Sequence, residues 1–276
     1  RPSHVLLVPV MIQMLLGAPK LADTDTSSLE LIAYGASPIT EATLKLAFQK
    51  FPGVAFMQAY GQTELSPVAT FLDKDYHVLE GPKSGKLRSC GRATRAAEIR
   101  IVDENDQDVP SGDVGHIIVK GPTTMLGYWN KPDVTADTIK DGWVYTGDAG
   151  YMDADGFIFL MDRLKDMIVS GGENVFSAEV ENALGQHPAV ATSAVIGIPS
   201  DKWGEQVHAI VILKEGETAS VEDLKAHCHT LIAGYKCPRS IDFRTEPFPL
   251  SGANKVLKTT LREPYWKDQE RQVAGS

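Results

Sequence analysis

Apolar and polar positions follow three different rhythms along the chain. From Leu29 to Tyr34 the residues are mostly apolar, which predicts a buried strand. Gly35-Ala36-Ser37-Pro38 breaks that run, with Ser37 suited to a helix N-cap and Pro38 to the first helical position. Ile39, Ala42, Leu46, Ala47 and Phe51 then recur at helical spacing over 39–51. Pro52-Gly53 stops the helix, and Val54 to Gln58 predicts a second short strand. Strand, helix, strand is the pattern of an α/β sheet.

The rhythm shortens to a period of two from about residue 94. Glu98 to Asp103 and Gly115 to Lys120 alternate across a Pro110-Ser111-Gly112 turn, and Phe157 to Met161 follows an Asp155-Gly156 turn. Helical patterns are scarce here, so a small antiparallel, barrel-like β unit is expected.

A third pattern starts near Asp162. Ser177 is placed to cap a helix ending at Gly185, with Pro188 just beyond. Val190 to Ile198 and Val207 to Lys214 predict strands. Ser220 with Asp223 opens a further helix stopping at Gly234, and 241–245 predicts a last strand. The expected fold is therefore α/β followed by α+β: the end of a large sheet domain over 1–93, a β subdomain over 94–162, and a compact α+β domain over 163–276.

Composition narrows the function. The 276 residues carry a formal net charge of -9, which disfavours a dedicated nucleic-acid binder but leaves room for local phosphate sites. Cys90, Cys228 and Cys237 fit neither a disulfide framework nor a zinc motif and suggest reduced thiols in a cytoplasmic protein. The longest apolar run, Val5 to Leu16, is interrupted by Pro9 and Gln13 and is too short to span a bilayer. Arg1 in place of an initiator methionine suggests part of a longer protein. His227-Cys228-His229 lacks the geometry of a metal site, since residues two apart on a helix diverge.

Four clusters could carry chemistry. Tyr60-Gly61-Gln62-Thr63-Glu64 follows a strand, where open α/β sheets place ligands. A hydroxyl beside a carboxylate suits a phosphate and its magnesium ion, although a plain polar turn has the same composition. Thr146-Gly147-Asp148 puts a carboxylate after a tight turn, able to accept two ribose hydroxyls or simply to close the turn. Asp162-Arg163-Leu164-Lys165-Asp166, followed by Ser170-Gly171-Gly172-Glu173-Asn174, is either a hinge or a solvated linker. Pro249-Leu250-Ser251-Gly252-Ala253-Asn254-Lys255 puts a lysine on a glycine-containing loop, as a mobile charge or an ordinary surface lysine.

Taken together with Gly127-Tyr128-Trp129, the order and wording of these clusters resemble the adenylate-forming superfamily of acyl-CoA synthetases, luciferases and peptide-synthetase adenylation domains, over residues 4–266. The resemblance implies an AMP-forming acyl-CoA synthetase, of which this chain is the C-terminal part. Its partners would be a carboxylic acid, ATP and coenzyme A, with magnesium and no nucleic acid. Gly35, Ala36 and Ser37 would line the adenine and acyl pocket, and Tyr60 would lie against adenine. Thr63 would contact phosphate, Glu64 would hold Mg2+, and Asp148, helped by Arg163, would bind the ribose. Lys165 would be the hinge. Lys255 would orient the acyl carboxylate and α-phosphate, and Gly171 and Gly172 would border the coenzyme A channel. Trp203-Gly204-Glu205 resembles a segment of the CoA ligases.

Two departures stand out. The Ser/Thr/Gly-rich phosphate loop of the superfamily is absent, and Asn254 stands where glycine usually precedes the late lysine, leaving Lys258 as a rival to Lys255. Transfer to a carrier-protein thiol, or nucleotide binding without catalysis, are the alternatives.

Overall fold

The computed structural model describes residues 1–37, 39–251 and 255–267. The described chain divides into two compact units, with the boundary after Leu160.

In the first unit, β1 (His4–Leu7) leads into α1 (Pro9–Leu16), β2 (Leu31–Gly35), α2 (Glu41–Lys50) and β3 (Ala55–Tyr60). β1, β2 and β3 pair in parallel, and β4 (Thr70–Leu72) and β5 (Arg92–Ala93) extend the same sheet antiparallel. Ile12 from α1, Leu44 and Ala47 from α2, and Ile32, Tyr34 and Phe56 from the strands form one core. The helix after β2 starts later than expected. Its N-cap is Thr40, whose hydroxyl accepts from the Thr43 N–H at 3.2 Å, not Ser37. Ala36 adopts a φ of 70°, so the chain turns sharply after β2 before a helix can begin. Pro38 lies outside the described residues.

A second sheet follows. β6 (Glu98–Val102) and β7 (Gly115–Lys120) lead to α3 (Pro132–Thr138), β8 (Ile139–Lys140), β9 (Trp143–Met152) and β10 (Ile158–Arg163). The strand order is β10-β9-β7-β6, with β8 on β9, and the β6–β7, β7–β9 and β8–β9 pairs are antiparallel. Ile99, Ile101, Ile117, Val119, Val144 and Ile158 pack with Tyr60 of the first sheet and Leu65 of the turn that follows it. The helix α3 was not expected from the pattern, because its sequence PDVTADT has no buried face.

The second unit holds β11 (Ile168–Ser170), β12 (Glu173–Val175), α4 (Ser177–Leu184), β13 (Val190–Ser200), β14 (Gly204–Leu213), α5 (Val221–His229), β15 (Ser240–Phe243) and α6 (Lys258–Trp266). The sheet order is β12-β11-β14-β13, with β15 parallel to β14. Both sheet faces are covered. Val195, Val207, Ala209 and Val211 pack with α4 and α5, while Ala194, Ile196 and Ile210 pack with Leu261 of α6. Burial on both sides explains the near-continuous apolar runs in β13 and β14.

Two helix ends differ from expectation here. Ser177 is the first helical residue rather than the cap, and both its N–H and its hydroxyl donate to Asp162 Oδ2 at 2.5 Å. α5 opens with the expected Ser220–Asp223 capping box but ends at His229, and Gly234 instead begins a separate short 3-10 turn. Among the described residues no helix is long and apolar enough to cross a membrane.

Candidate functional site

The C-terminal ends of the parallel strands β2 and β3 carry the first set of candidates. Gly35 closes β2, where a Cβ would lie 2.3 Å from the Ala59 carbonyl oxygen of β3, so only glycine permits the strands to pair this closely. Ala36 and Ser37 form the bend that follows. Tyr60 closes β3 and is buried, with its hydroxyl donating to Asp148 Oδ2 at 2.7 Å. Burial first, then the Asp148 charge, push the Tyr60 pKa well above its ordinary value, so the phenol remains a donor.

Asp148 is aimed by a local irregularity. The β7–β9 register shifts between His116↔Ala149 and Ile118↔Tyr145, which leaves Thr146-Gly147-Asp148 bulged out of the ladder. Gly147 has a φ of 71° there. Thr146 Oγ1 donates to the Ile117 carbonyl at 2.7 Å and accepts from the Asp148 N–H at 3.1 Å, pinning the bulge.

Thr63 and Glu64 stand on a short 3-10 turn, Thr63–Leu65, directly after β3. Thr63 is exposed and Glu64 half-buried. The Glu64 backbone carbonyl accepts from the Met125 N–H at 2.8 Å, and Glu64 Oε1 accepts from the Tyr128 hydroxyl at 2.5 Å. That hydrogen bond, with some burial, raises the Tyr128 pKa and keeps it a donor. A single fixed carboxylate with a neighbouring exposed hydroxyl suits Mg2+, which keeps waters and phosphate oxygens as its other ligands. Tyr128 is a partner of a candidate residue that the sequence displayed, in Gly127-Tyr128-Trp129, without revealing that contact. Only the fold brings residues 64 apart within one hydrogen bond.

The second unit carries the remaining candidates. Arg163 ends β10, and Lys165 is exposed in the 3-10 turn Leu164–Asp166. The flanking carboxylates are not solvated: Asp162 accepts from Ser177, and Asp166 pairs with Arg262 at 3.1 Å. The segment is thus a structured turn rather than a loose linker.

Gly171 and Gly172 form the two-residue turn of the β11–β12 hairpin, with φ of 64° and 86°. Positive φ at both central residues is the type I′ requirement, which glycine meets without strain. A Cβ on Gly171 would lie 2.6 Å from Trp203 Cε3, so the indole covers the turn. The Gly171 N–H also donates to the Trp203 carbonyl at 2.8 Å. The Arg239 guanidinium and Lys202 ammonium lie 4.3 Å and 4.7 Å from the centre of that indole. Glu205 is buried and Oε2 accepts from the Val169 N–H at 3.3 Å, holding β11 against β14.

Lys255 and Lys258 separate clearly. Lys255 is exposed, on a loop closed by the Leu250↔Val256 bridge and by the hydrogen bonds of the Ser251 N–H to the Lys255 carbonyl and of the Lys255 N–H to Ser251 Oγ. Gly252, Ala253 and Asn254 lie outside the described residues. Lys258 is largely buried, 2.7 Å from Glu181 Oε1, and donates to Ser177 Oγ. Burial alone would lower its pKa, but Glu181 and Asp162 more than offset this and raise it. Lys258 is thus held by two partners inside the unit, whereas Lys255 is exposed.

Within the first unit Tyr60, Thr63, Glu64, Tyr128 and Asp148 are therefore linked by short covalent or hydrogen-bonded paths. Within the second, the turn at Lys165, the Gly171-Gly172 hairpin and the Lys255 loop occupy three separate places.

Comparison with known proteins fits this arrangement. The sequence profile described as AMP-binding enzyme matches residues 1–129, and that described as AMP-binding enzyme C-terminal domain matches 179–255. The chain is 38% identical over 267 residues to the fatty acid–[acyl-carrier-protein] ligase ScoC of Streptomyces coeruleorubidus, covering 97% of this chain and 50% of that protein. It is 40% identical over 280 residues to the medium/long-chain-fatty-acid–CoA ligase FadD8 of Mycobacterium tuberculosis, covering 99% of this chain and 48% of that one. The solved structure of the amide bond synthetase McbA from Marinactinospora thermotolerans superposes with a TM-score of 0.88 at 34% identity, over 96% of this chain and 52% of that one. The chain spans about half the length of the curated relatives it matches.

Proposed function

The chain belongs to the AMP-binding enzyme family, and from that premise we propose that it serves an AMP-forming acid–thiol ligase that joins a fatty or other hydrophobic carboxylic acid to coenzyme A through an acyl-AMP intermediate. The observation that carries this reading is the hydrogen-bonded set around the end of β3, where Tyr60 holds Asp148 and Tyr128 holds Glu64. Two carboxylates held on one framework support reading Asp148 as the ribose acceptor and Glu64 as the metal ligand.

In the first half-reaction the acid's carboxylate oxygen attacks the α-phosphorus of ATP, and pyrophosphate leaves. Asp148 accepts from the ribose hydroxyls while Arg163 donates to their oxygens, and Gly35, Ala36 and Ser37 border the adenine and acyl groups alongside Tyr60. Thr63 donates to phosphate. Glu64 is the residue to hold Mg2+, which supplies positive charge to the crowded phosphate oxygens when bound. Lys255 brings a second positive charge to the acyl carboxylate and α-phosphate, consistent with its exposure on a closed loop.

In the second half-reaction the thiol of coenzyme A attacks the acyl carbon, and AMP leaves. The family pattern assigns Lys165 as the pivot of a rotation between the two steps and Gly171-Gly172 as a wall of the pantetheine channel. The cations beside Trp203 suit the phosphates of coenzyme A. The division at 93/94 and 162/163 belongs to this proposal, with Lys165 just inside the mobile third part. So does a cytoplasmic setting, which the three buried, unpaired thiols suit.

A carrier-protein thiol as acceptor is the second reading, favoured by the name of ScoC among the relatives. Offering coenzyme A and a phosphopantetheinylated carrier in parallel separates the two. The test of the main reading is Lys255→Ala in the full-length enzyme. Acyl-AMP formation is expected to fall by two or more orders of magnitude, about 2.7 kcal/mol or more of barrier, while thioester formation from supplied acyl-AMP persists. Equal loss of both steps would remove the assigned role.

A further inference from the structure

Helix α3 contributes no residue to a core, so polar bonds have to fix it. Thr135 makes two of them. Its hydroxyl donates to the Lys131 carbonyl at 2.9 Å, one turn back, and accepts from the Tyr128 N–H at 2.9 Å. The chain entering Tyr128 runs against the same side chain. Gly127 has a φ of 147°, and a Cβ there would lie 2.9 Å from Thr135 Cγ2. Glycine is the residue that allows both the backbone angle and the approach.

The other end of this segment is tied to Glu64. The Met125 N–H donates to the Glu64 carbonyl at 2.8 Å, and the Tyr128 hydroxyl returns to Glu64 Oε1 at 2.5 Å. Residues 125–128 therefore close a loop on Glu64, with the backbone held at one end and the carboxylate at the other. Thr135 braces that loop from outside. A helix without a buried face thus acts as the support of one tyrosine.

The consequence lies in the carboxylate. Oε1 already accepts the phenol proton, and among the described residues no hydrogen bond reaches Oε2. A cation held by both oxygens would share Oε1 with that proton, which carries partial positive charge. A cation held by Oε2 alone leaves the hydrogen bond intact. The two common divalent ions differ on this point. Ca2+ accepts about six to eight oxygens in flexible geometry and takes carboxylates through one oxygen or both, whereas Mg2+ is smaller and demands a near-ideal octahedron.

We propose that Tyr128, braced by Thr135, is a positioning residue that makes Glu64 a one-oxygen ligand and so sets the preference of the site for Mg2+ over Ca2+. This rests on the reading of Glu64 as the magnesium ligand. The discrimination is partly repulsive, as specificity often is: the phenol withholds the second oxygen from the larger ion. It also orients the carboxylate before the metal arrives, and such outer partners of a ligand are worth about 10–100-fold in metal affinity.

The test reads metal binding, not turnover. The full-length enzyme, in excess over the α,β-methylene analogue of ATP, is titrated with Mn2+ by electron paramagnetic resonance. Mg2+ or Ca2+ is then added to displace the Mn2+. In Tyr128→Phe the affinity for Mg2+ is expected to fall about tenfold and that for Ca2+ no more than about twofold, so that the preference for Mg2+ shrinks roughly fivefold. Thr135→Val keeps the shape of the side chain and removes the acceptor of the Tyr128 N–H. It should shift the ratio in the same direction by a smaller factor.

A role in stability alone would weaken both ions equally, so the ratio is the deciding quantity. An unchanged ratio in Tyr128→Phe, folded by its near-ultraviolet circular dichroism, would overturn the proposal. If that variant does not fold, Thr135→Val decides by the same criterion. Glu64→Gln keeps the functional reading separate. Wild-type Mn2+ affinity in Glu64→Gln would remove Glu64 as the metal ligand and the selectivity with it. Lost affinity there, with an unchanged ratio in Tyr128→Phe, would sink the selectivity alone.

Discussion

At the residue scale, buried polar contacts decide which candidates matter. Tyr60 and Asp148 are both buried and share one 2.7 Å hydrogen bond. Removing the phenol hydroxyl withdraws a donor from a buried carboxylate, and Tyr60→Phe should lower unfolding free energy by about 1–3 kcal/mol. Urea denaturation of the two proteins checks this, and an unchanged midpoint and slope would show that the contact contributes nothing. Asp148→Ala should weaken AMP binding by roughly tenfold or more, the worth of a hydrogen bond to a charged group. Calorimetric titration reads it directly, and unchanged affinity would remove Asp148 from the ribose site. The same scale separates the late lysines, since Lys255 is exposed and Lys258 is embedded in carboxylates.

At the element scale, the β11–β12 hairpin joins backbone geometry to site geometry. Both turn glycines have positive φ, but only Gly171 meets a neighbour, at 2.6 Å from Trp203, whereas nothing lies within 4 Å of the Cβ position of Gly172. Gly172→Ala should therefore cost about 1 kcal/mol for the left-handed backbone alone. Gly171→Ala adds displacement of the indole and should cost measurably more, with a larger loss in the thioester-forming step than in adenylation. Denaturation midpoints of the two variants give the order. A Gly172 variant less stable than the Gly171 variant would show that Trp203 does not restrict the turn. The bulge in β9 is the corresponding device in the first unit, taking Asp148 out of the ladder to meet the Tyr60 hydroxyl.

At the scale of the whole molecule, the chain divides into two compact units with the boundary inside β10, and Lys165 follows a few residues later in the second unit. Proline at 165 would fix its own φ and restrict Leu164. Lys165→Pro should then hold the enzyme in one conformation, lowering one half-reaction more than the other by about tenfold or more. Separate assays of acyl-AMP formation and of its thiolysis measure the ratio, and an equal fall in both would argue against a hinge.

Much of this was legible before the fold was known. Period-two alternation located β6, β7 and β10, continuous apolar runs located β13 and β14, and the Ser220–Asp223 box located the start of α5. These are local signals, and neighbouring residues are enough to produce them. The wording of Tyr60–Glu64, Thr146–Asp148, Asp162–Asp166 and Ser251–Lys255 likewise pointed to the family, because the chemistry of each loop is written in consecutive residues. What the sequence could not determine depends on contacts across long separations. The start of α2 moved to Thr40 because the backbone turns at Ala36 as β2 ends beside β3. Ser177 became a donor to Asp162 rather than a helix cap, and Tyr128 found Glu64. Lys258, an equal of Lys255 in the sequence, is set apart from it by burial against Glu181. In each case a polar group is compatible with several local roles, and packing alone selects the partner that satisfies it.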